Sequence, residues 1–220
     1  MTDERSLKVM SSTPDMKVDY FSDEEIIQIA RRIGSAADRI HKIERKRFLL
    51  LFKFLLRTGA RVSEALLTTP RDVDLNLNAV RLTTLKKKRG RNGELPRRTV
   101  NLHQDLRDTY MQYLLEAHID QSSNQRLFPM TRQRVDKFFK SICGPDIRFH
   151  AHKLRHTFAV NAVRAGIPLN ILQAWLGHSS IFTTSIYTQI AGHDTRGYME
   201  RMPGNKTYLG MPSYSRMFLI

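Results

Sequence analysis

Nine residues, Phe48-Leu-Leu-Leu-Phe-Lys-Phe-Leu-Leu56, are apolar except for Lys53. A helix over this run is apolar on nearly every side, so it has to be surrounded by other elements rather than laid on a surface. It is far shorter than the roughly 20 residues that a bilayer crossing needs. The run therefore reads as the buried core helix of a soluble protein. It extends from about Lys42 to Arg57 and stops at Thr58-Gly59, where Gly59 suits a left-handed C-terminal turn.

Other helices are expected around it. Ser22-Asp-Glu-Glu25 forms a capping box ahead of Ile26, Ile29, Ala30 and Ile33, and Gly34 is placed to end that helix. A short helix is expected over Val62–Leu67, closed before Pro70. Further helices are expected at about 105–117, 132–142, 152–165, 169–176 and 180–191, with Thr131 as an N-cap and Gly166 and Pro168 separating two of them. Between residues 71 and 102, Val73, Ala79–Leu85 and Arg98–Leu102 read as short strands. The fold class is thus α+β, mainly α-helical, with a small three-stranded antiparallel sheet. Residues 1–19 read as a flexible leader, 20–200 as one domain, and 201–220 as a tail broken by Pro203, Gly204, Gly210 and Pro212.

Lys and Arg outnumber Asp and Glu by 36 to 21, a formal charge of +15. Such a charge favours a polyanionic partner, because each phosphate neutralised releases a counterion. Nucleic acid is the first expectation, and an anionic membrane surface or a merely basic protein the alternative. Cys143 is the one cysteine, so an internal disulfide or a cysteine-rich zinc site is out of reach. A reducing cytoplasm suits this usage. Residues 1–20 hold no apolar stretch of the signal-peptide kind.

The chemistry is concentrated in a few places. His152-Lys-Leu-Arg155-His156 is followed by Leu176-Gly177-His178, and Tyr187 comes nine residues after His178. Upstream lies Thr58-Gly-Ala-Arg61-Val-Ser-Glu64. Cleaving a phosphodiester without a metal requires fixed cations against the non-bridging oxygens of the transition state. Guanidinium suits this, being permanently charged and able to bind two oxygens; Arg61 and Arg155 are assigned to it. His152 and Arg155, three residues apart, share a helix face near its start, where the helix dipole also favours an anion. His152 and His178 can donate to phosphate oxygens or move a proton near neutral pH. Tyr187 is the nucleophile, its phenolate stabilised by the same cations. A lysine of the polar 86–98 connection is the obvious donor to the leaving oxygen. Taken singly each residue has an ordinary structural reading, and His156 keeps one, as a support of its helix; Trp175 is core.

In combination these boxes resemble the tyrosine recombinase (phage integrase) family, in order and over about residues 20–200. The resemblance implies that family's catalytic-domain fold, with no cofactor and no metal. It implies a site-specific DNA recombinase that cleaves and rejoins strands by transesterification through a 3′-phosphotyrosyl link at Tyr187. Arg61, Arg155 and His178 would hold the phosphate, His152 would accept the Tyr187 proton, and Glu64 would orient Arg61. Lys86 would be the catalytic lysine, with Lys87 and Lys88 adjacent to it as alternatives. Lys87, Lys88, Arg89, Arg91, Arg97 and Arg98 would line double-stranded DNA. The implied assembly is a homo-oligomer, a tetramer on paired DNA sites in the cytoplasm, with the tail docking on a neighbouring protomer and accessory proteins left open. Most of the family carries a helical DNA-clamping domain ahead of this pattern. With some twenty residues there, the expectation is a short member lacking that domain, or a catalytic domain alone. A type IB topoisomerase, which shares the site, and a non-catalytic DNA-binding regulator are the competing readings.

Overall fold

The computed structural model describes residues 18–36, 40–85 and 93–190. The apolar run lies within helix α2 (Lys42–Thr58), in which Phe48, Leu50, Leu51, Phe52, Phe54, Leu55 and Leu56 are all buried. Side chains on every face can be buried only if α2 is enclosed. It packs against α1 (Asp23–Ser35), α3 (Val62–Ala65), α4 (Gln104–Glu116) and α6 (Ala151–Arg164). Helix α5 (Arg132–Cys143) packs on α1, and Phe139 reaches the Phe48, Phe52 and Phe149 rings.

Local chemistry sets the helix ends. Ser22 Oγ accepts from the Glu25 amide at 3.2 Å, while Glu25 accepts from the Ser22 amide at 2.9 Å. Thr131 Oγ1 accepts from the Arg134 amide at 3.2 Å. Gly59 ends α2 at φ +61°, where a Cβ would fall 2.4 Å from Phe158 Cδ1. Gly34 does not end α1, which runs on to Ser35 and is capped at Ala36. A Cβ at Gly34 would meet nothing within 4 Å, so this glycine carries only its entropic cost in a helix, about 1 kcal/mol.

The sheet is β1 (Val73–Asp74), β2 (Ala79–Thr83) and β3 (Arg97–Asn101), antiparallel in that order. Val80 lies opposite both Val73 and Val100, and these side chains face the core. The chain between β2 and β3, which holds Lys86, Lys87, Lys88, Arg89 and Arg91, falls largely outside the described residues.

Helix α6 divides two apolar clusters. Leu154 belongs to the main core around α2. Ala159, Val160, Ala162 and Val163 join α7 (Leu169–Leu176) and α8 (Phe182–Ile190) in a second cluster that contains Tyr187. Residues 18–21 lie along α6. The Phe21 amide donates to Thr157 Oγ1 at 2.9 Å, and Lys153 Nζ sits 3.2 Å from Asp19 and 4.3 Å from the Phe21 ring centre. Val18 and Tyr20 cover the second cluster. The leader before it and the 201–220 tail lie outside the described residues. Among the described residues no helix is long and apolar enough to cross a membrane.

Phe139 is fully buried and shared by several rings. Phe139→Ala should lower the unfolding free energy by about 3–5 kcal/mol in urea titrations. A loss below about 1 kcal/mol would mean the site repacks.

Candidate active site

The turn after α2 begins the site. Gly59's left-handed backbone reverses the chain, and Arg61 becomes the residue that precedes α3. The Arg61 amide donates to Glu64 Oε2 at 3.0 Å, and Arg61 Nη1 donates to Glu64 Oε1 at 2.9 Å. One carboxylate thus fixes both the backbone and the guanidinium of Arg61. Arg61 Nε is buried and has no hydrogen-bond partner among the described residues.

Glu64 has a second cation. Arg98 Nη2 donates to Glu64 Oε2 at 2.7 Å, its Nη1 to Thr84 Oγ1 at 3.1 Å, and its Nε to the Trp175 carbonyl at 2.6 Å. Every nitrogen of that guanidinium is engaged inside the protein, and its side chain is 8% exposed. Arg98 does not lie on the DNA surface that the family resemblance implies for it. It is turned inward because it shares a strand face with Val100, and it ties β3 to α3 and α7. Arg97 faces solvent, 3.5 Å from Asp72. Burial pushes the Glu64 carboxyl up, but Arg98 and Arg61 outweigh it and hold it below the usual range.

Arg155 is 2% exposed. Its Nη1 donates to the Gly59 carbonyl at 2.7 Å and its Nη2 to the Leu176 carbonyl at 2.8 Å. Leu176 precedes Gly177, the left-handed cap of α7 at φ +68°, and His178 follows. One guanidinium thereby gathers the Arg61 turn, α6 and the His178 turn. Two of its five donors are engaged in these bonds. Burial, then the charge of Arg61, lowers its pKa to about 10, still protonated at neutral pH.

The histidines feel the same cations. His178 Nδ1 lies 3.0 Å from Thr184 Oγ1, which orients the ring. Its pKa falls to about 4 through burial, then Arg155, Arg61, Arg98 and His152. His152 is also lowered to about 4, by partial burial, then His156, Arg155 and Arg61. Its ring meets His156 edge-on at 4.9 Å between centres, and the outer part of the residue reaches solvent. Both imidazoles are neutral at pH 7, so each can donate one N–H to an anion or accept a proton.

Tyr187 is 2% exposed. Burial pushes its phenol up, while Arg155 and Arg61 pull it down without overcoming that effect. Its hydroxyl lies 2.9 Å from Nδ1 of His156. The sequence assigns His156 to the support of its helix, and the family resemblance makes His152 the acceptor of the Tyr187 proton. The structure puts the hydroxyl on His156. Sequence reasoning had one signal for it: His156 follows His152 by four residues and so shares the same helix face.

The arrangement gathers Arg61, His152, Arg155, His178 and Tyr187 around one region. The sequence model of the phage integrase family matches residues 24–193. This chain belongs to the phage integrase family. Its domain is 29% identical over 189 residues to the tyrosine recombinase XerA of Saccharolobus solfataricus, covering 83% of this chain and 62% of that protein. It is 32% identical over 161 residues to XerC of Bacillus subtilis, covering 70% of this chain and 53% of that one. The chain thus spans little more than half the length of such relatives. Among solved structures, a XerA recombinase superposes with a TM-score of 0.59 at 25% identity, over 87% of this chain and 67% of that one. The catalytic domain of bacteriophage HP1 integrase superposes at 0.61 and 22% identity, over 85% and 96%, a likeness of fold. The phage integrase domain is therefore mainly helical with a small three-stranded antiparallel sheet. Among the described residues no cluster of three or more metal-ligating side chains occurs.

Glu64 is the shared anion of two largely buried cations, so its loss should be felt in the whole domain. Glu64→Gln should lower the unfolding free energy by about 3–5 kcal/mol at neutral pH. The carboxyl pKa is depressed on folding, so the wild-type advantage is full above the unfolded carboxylate range and shrinks as pH falls through the folded value. Denaturant titrations of both proteins at neutral and acidic pH check this. A gap that does not change with pH would contradict it.

Proposed function

We propose that this chain is a site-specific DNA recombinase that cleaves and rejoins strands through a 3′-phosphotyrosyl link at Tyr187. The observation that carries the proposal is Tyr187 itself, a buried hydroxyl whose ring lies within the electrostatic reach of both Arg61 and Arg155. A scissile phosphate against these guanidiniums would bring its own negative charge to the cluster. Arg61 Nε and the remaining Arg155 donors supply bonds to its non-bridging oxygens. Neutral His178 adds an N–H donor oriented by Thr184. The start of α6, a 14-residue helix, contributes backbone amides and dipole on the same side.

Attack by the phenolate oxygen on phosphorus breaks the bond to O5′, and the pentavalent charge is held by groups already in position before DNA arrives. That preorganisation is the main source of acceleration in such sites. Lys86 is proposed to protonate O5′, and Lys87, Lys88, Arg89, Arg91 and Arg97 to grip backbone phosphates. The substrate is double-stranded DNA, and the working form is a homotetramer on paired sites in the cytoplasm. Residues 20–200 form the catalytic domain, and the 201–220 tail docks on a neighbouring protomer. Support comes from the family match, from relatives named as tyrosine recombinases, and from the net charge of +15.

A nicked suicide duplex carrying the cognate site, incubated in EDTA, should trap a covalent protein–DNA adduct. Tyr187→Phe should give none, and Arg61→Ala should slow formation by about 10²- to 10³-fold. An adduct that persists in Tyr187→Phe would refute the assignment.

A further inference from the structure

Oη of Tyr187 and Nδ1 of His156 are 2.9 Å apart, with ring centres 5.8 Å apart at an interplanar angle of 50°. A neutral imidazole accepts at one ring nitrogen and donates at the other. A phenol, far more weakly acidic than imidazolium, is the donor in such a pair. Nδ1 therefore accepts from the tyrosine, and the ring carries its own proton on Nε2.

The groups facing His156 come from three elements. Arg155, His150 and His152 belong to α6 and its start, Asp19 to the N-terminal segment, and Tyr187 to α8. Burial, then Arg155 and His150, lowers the His156 pKa below the ordinary range against an upward pull from Asp19. The ring is thus neutral at pH 7 and free to take a proton. Tyr187 needs such a partner, because burial opposes its ionisation more strongly than the two arginines favour it. A base in contact removes that obstacle at the moment of attack. Among the described residues, His156 is the hydrogen-bond partner of the Tyr187 hydroxyl.

We infer that His156 takes the Tyr187 proton through Nδ1 as the tyrosine attacks phosphorus, an assignment that rests on the phosphotyrosyl reading. In the forward step the Oη–P bond forms and the P–O5′ bond breaks. The Oη proton passes to Nδ1, leaving an imidazolium, while O5′ receives a proton from a separate acid. On rejoining, the 5′ hydroxyl gives its proton to the conjugate base of that acid and attacks phosphorus, the Oη–P bond breaks, and His156 returns its proton to the phenolate. His152, edge-on to His156, is left to the phosphate.

Two measurements test this. His156→Asn can keep an acceptor near the position of Nδ1 but cannot take up a proton. Adduct formation on the suicide duplex should fall in the wild type as pH drops through the His156 pKa, and His156→Asn should be slower by about 10²- to 10⁴-fold and lack that acid limb. A variant with the wild-type rate and the same limb overturns the inference. Without DNA, nitrogen NMR of the imidazoles reads the contact directly. The phenol donates to the neutral ring and can accept from the protonated one, so Tyr187→Phe should shift the His156 pKa; an unchanged value overturns it. If the wild type forms no adduct at any pH while the His156 titration still shifts, the phosphotyrosyl reading fails and His156 remains only a hydrogen-bond partner of Tyr187.

Discussion

Two hydrogen bonds from one buried guanidinium hold the site together. Arg155 reaches the Gly59 carbonyl on one side and the Leu176 carbonyl on the other. Each carbonyl lies at a helix end closed by a left-handed glycine, where backbone oxygens lack helical partners. The arginine satisfies those oxygens and draws together three segments far apart in sequence. A charge this deep is costly unless it is paired. Glu64, the carboxylate whose charge acts on Arg155, is already bonded to Arg61 and Arg98. The region is therefore cation-rich by construction, and its histidines are driven neutral as a result.

That surplus links stability to function. A fold selected for stability alone would place apolar groups here, since replacing buried ions by well-packed hydrophobic side chains is often neutral or stabilising. What the cations gain in return is a place for an anion already desolvated and surrounded by fixed donors. The second apolar cluster serves the same end. It fixes the Tyr187 ring among Ala159, Val160, Leu172 and Leu176, and Val18 and Tyr20 close it from the N-terminal side. The setting of Tyr187 thus depends on residues 18–21, whose anchors, Lys153 and Thr157, lie on the same helix as Arg155 and His156.

Features encoded locally were legible in the sequence. Ser22 and Thr131 announce helix starts, Thr58-Gly59 announces a stop, and the buried helix was evident from its apolar run. The boxes containing Arg61, His152, Arg155, His178 and Tyr187 are contiguous words with fixed spacing, so the elements that carry them could be placed. The contacts of Arg98 and His156 are not legible because they are made with partners remote in sequence: Arg98 meets Glu64 across 34 positions and Trp175 across 77, and His156 meets Tyr187 across 31. Alternation on β3 did carry a trace of the first, since Arg98 and Val100 must face the same way. Gly34 reads as a stop in the sequence but lies within α1, because a glycine's tolerance inside a helix depends on what packs around it.

A phosphate that completes this cluster of cations must change the titration of His178. In the DNA-free protein its pKa should be near 4. A bound phosphate adds a negative charge beside the ring and should raise that value, so that duplex binding takes up a proton and tightens as pH falls from the ordinary histidine range toward 4. Imidazole NMR on the free protein and on its complex with cognate duplex reads both values. Binding should shift the value markedly upward; an identical titration with and without DNA would show that no phosphate sits beside His178.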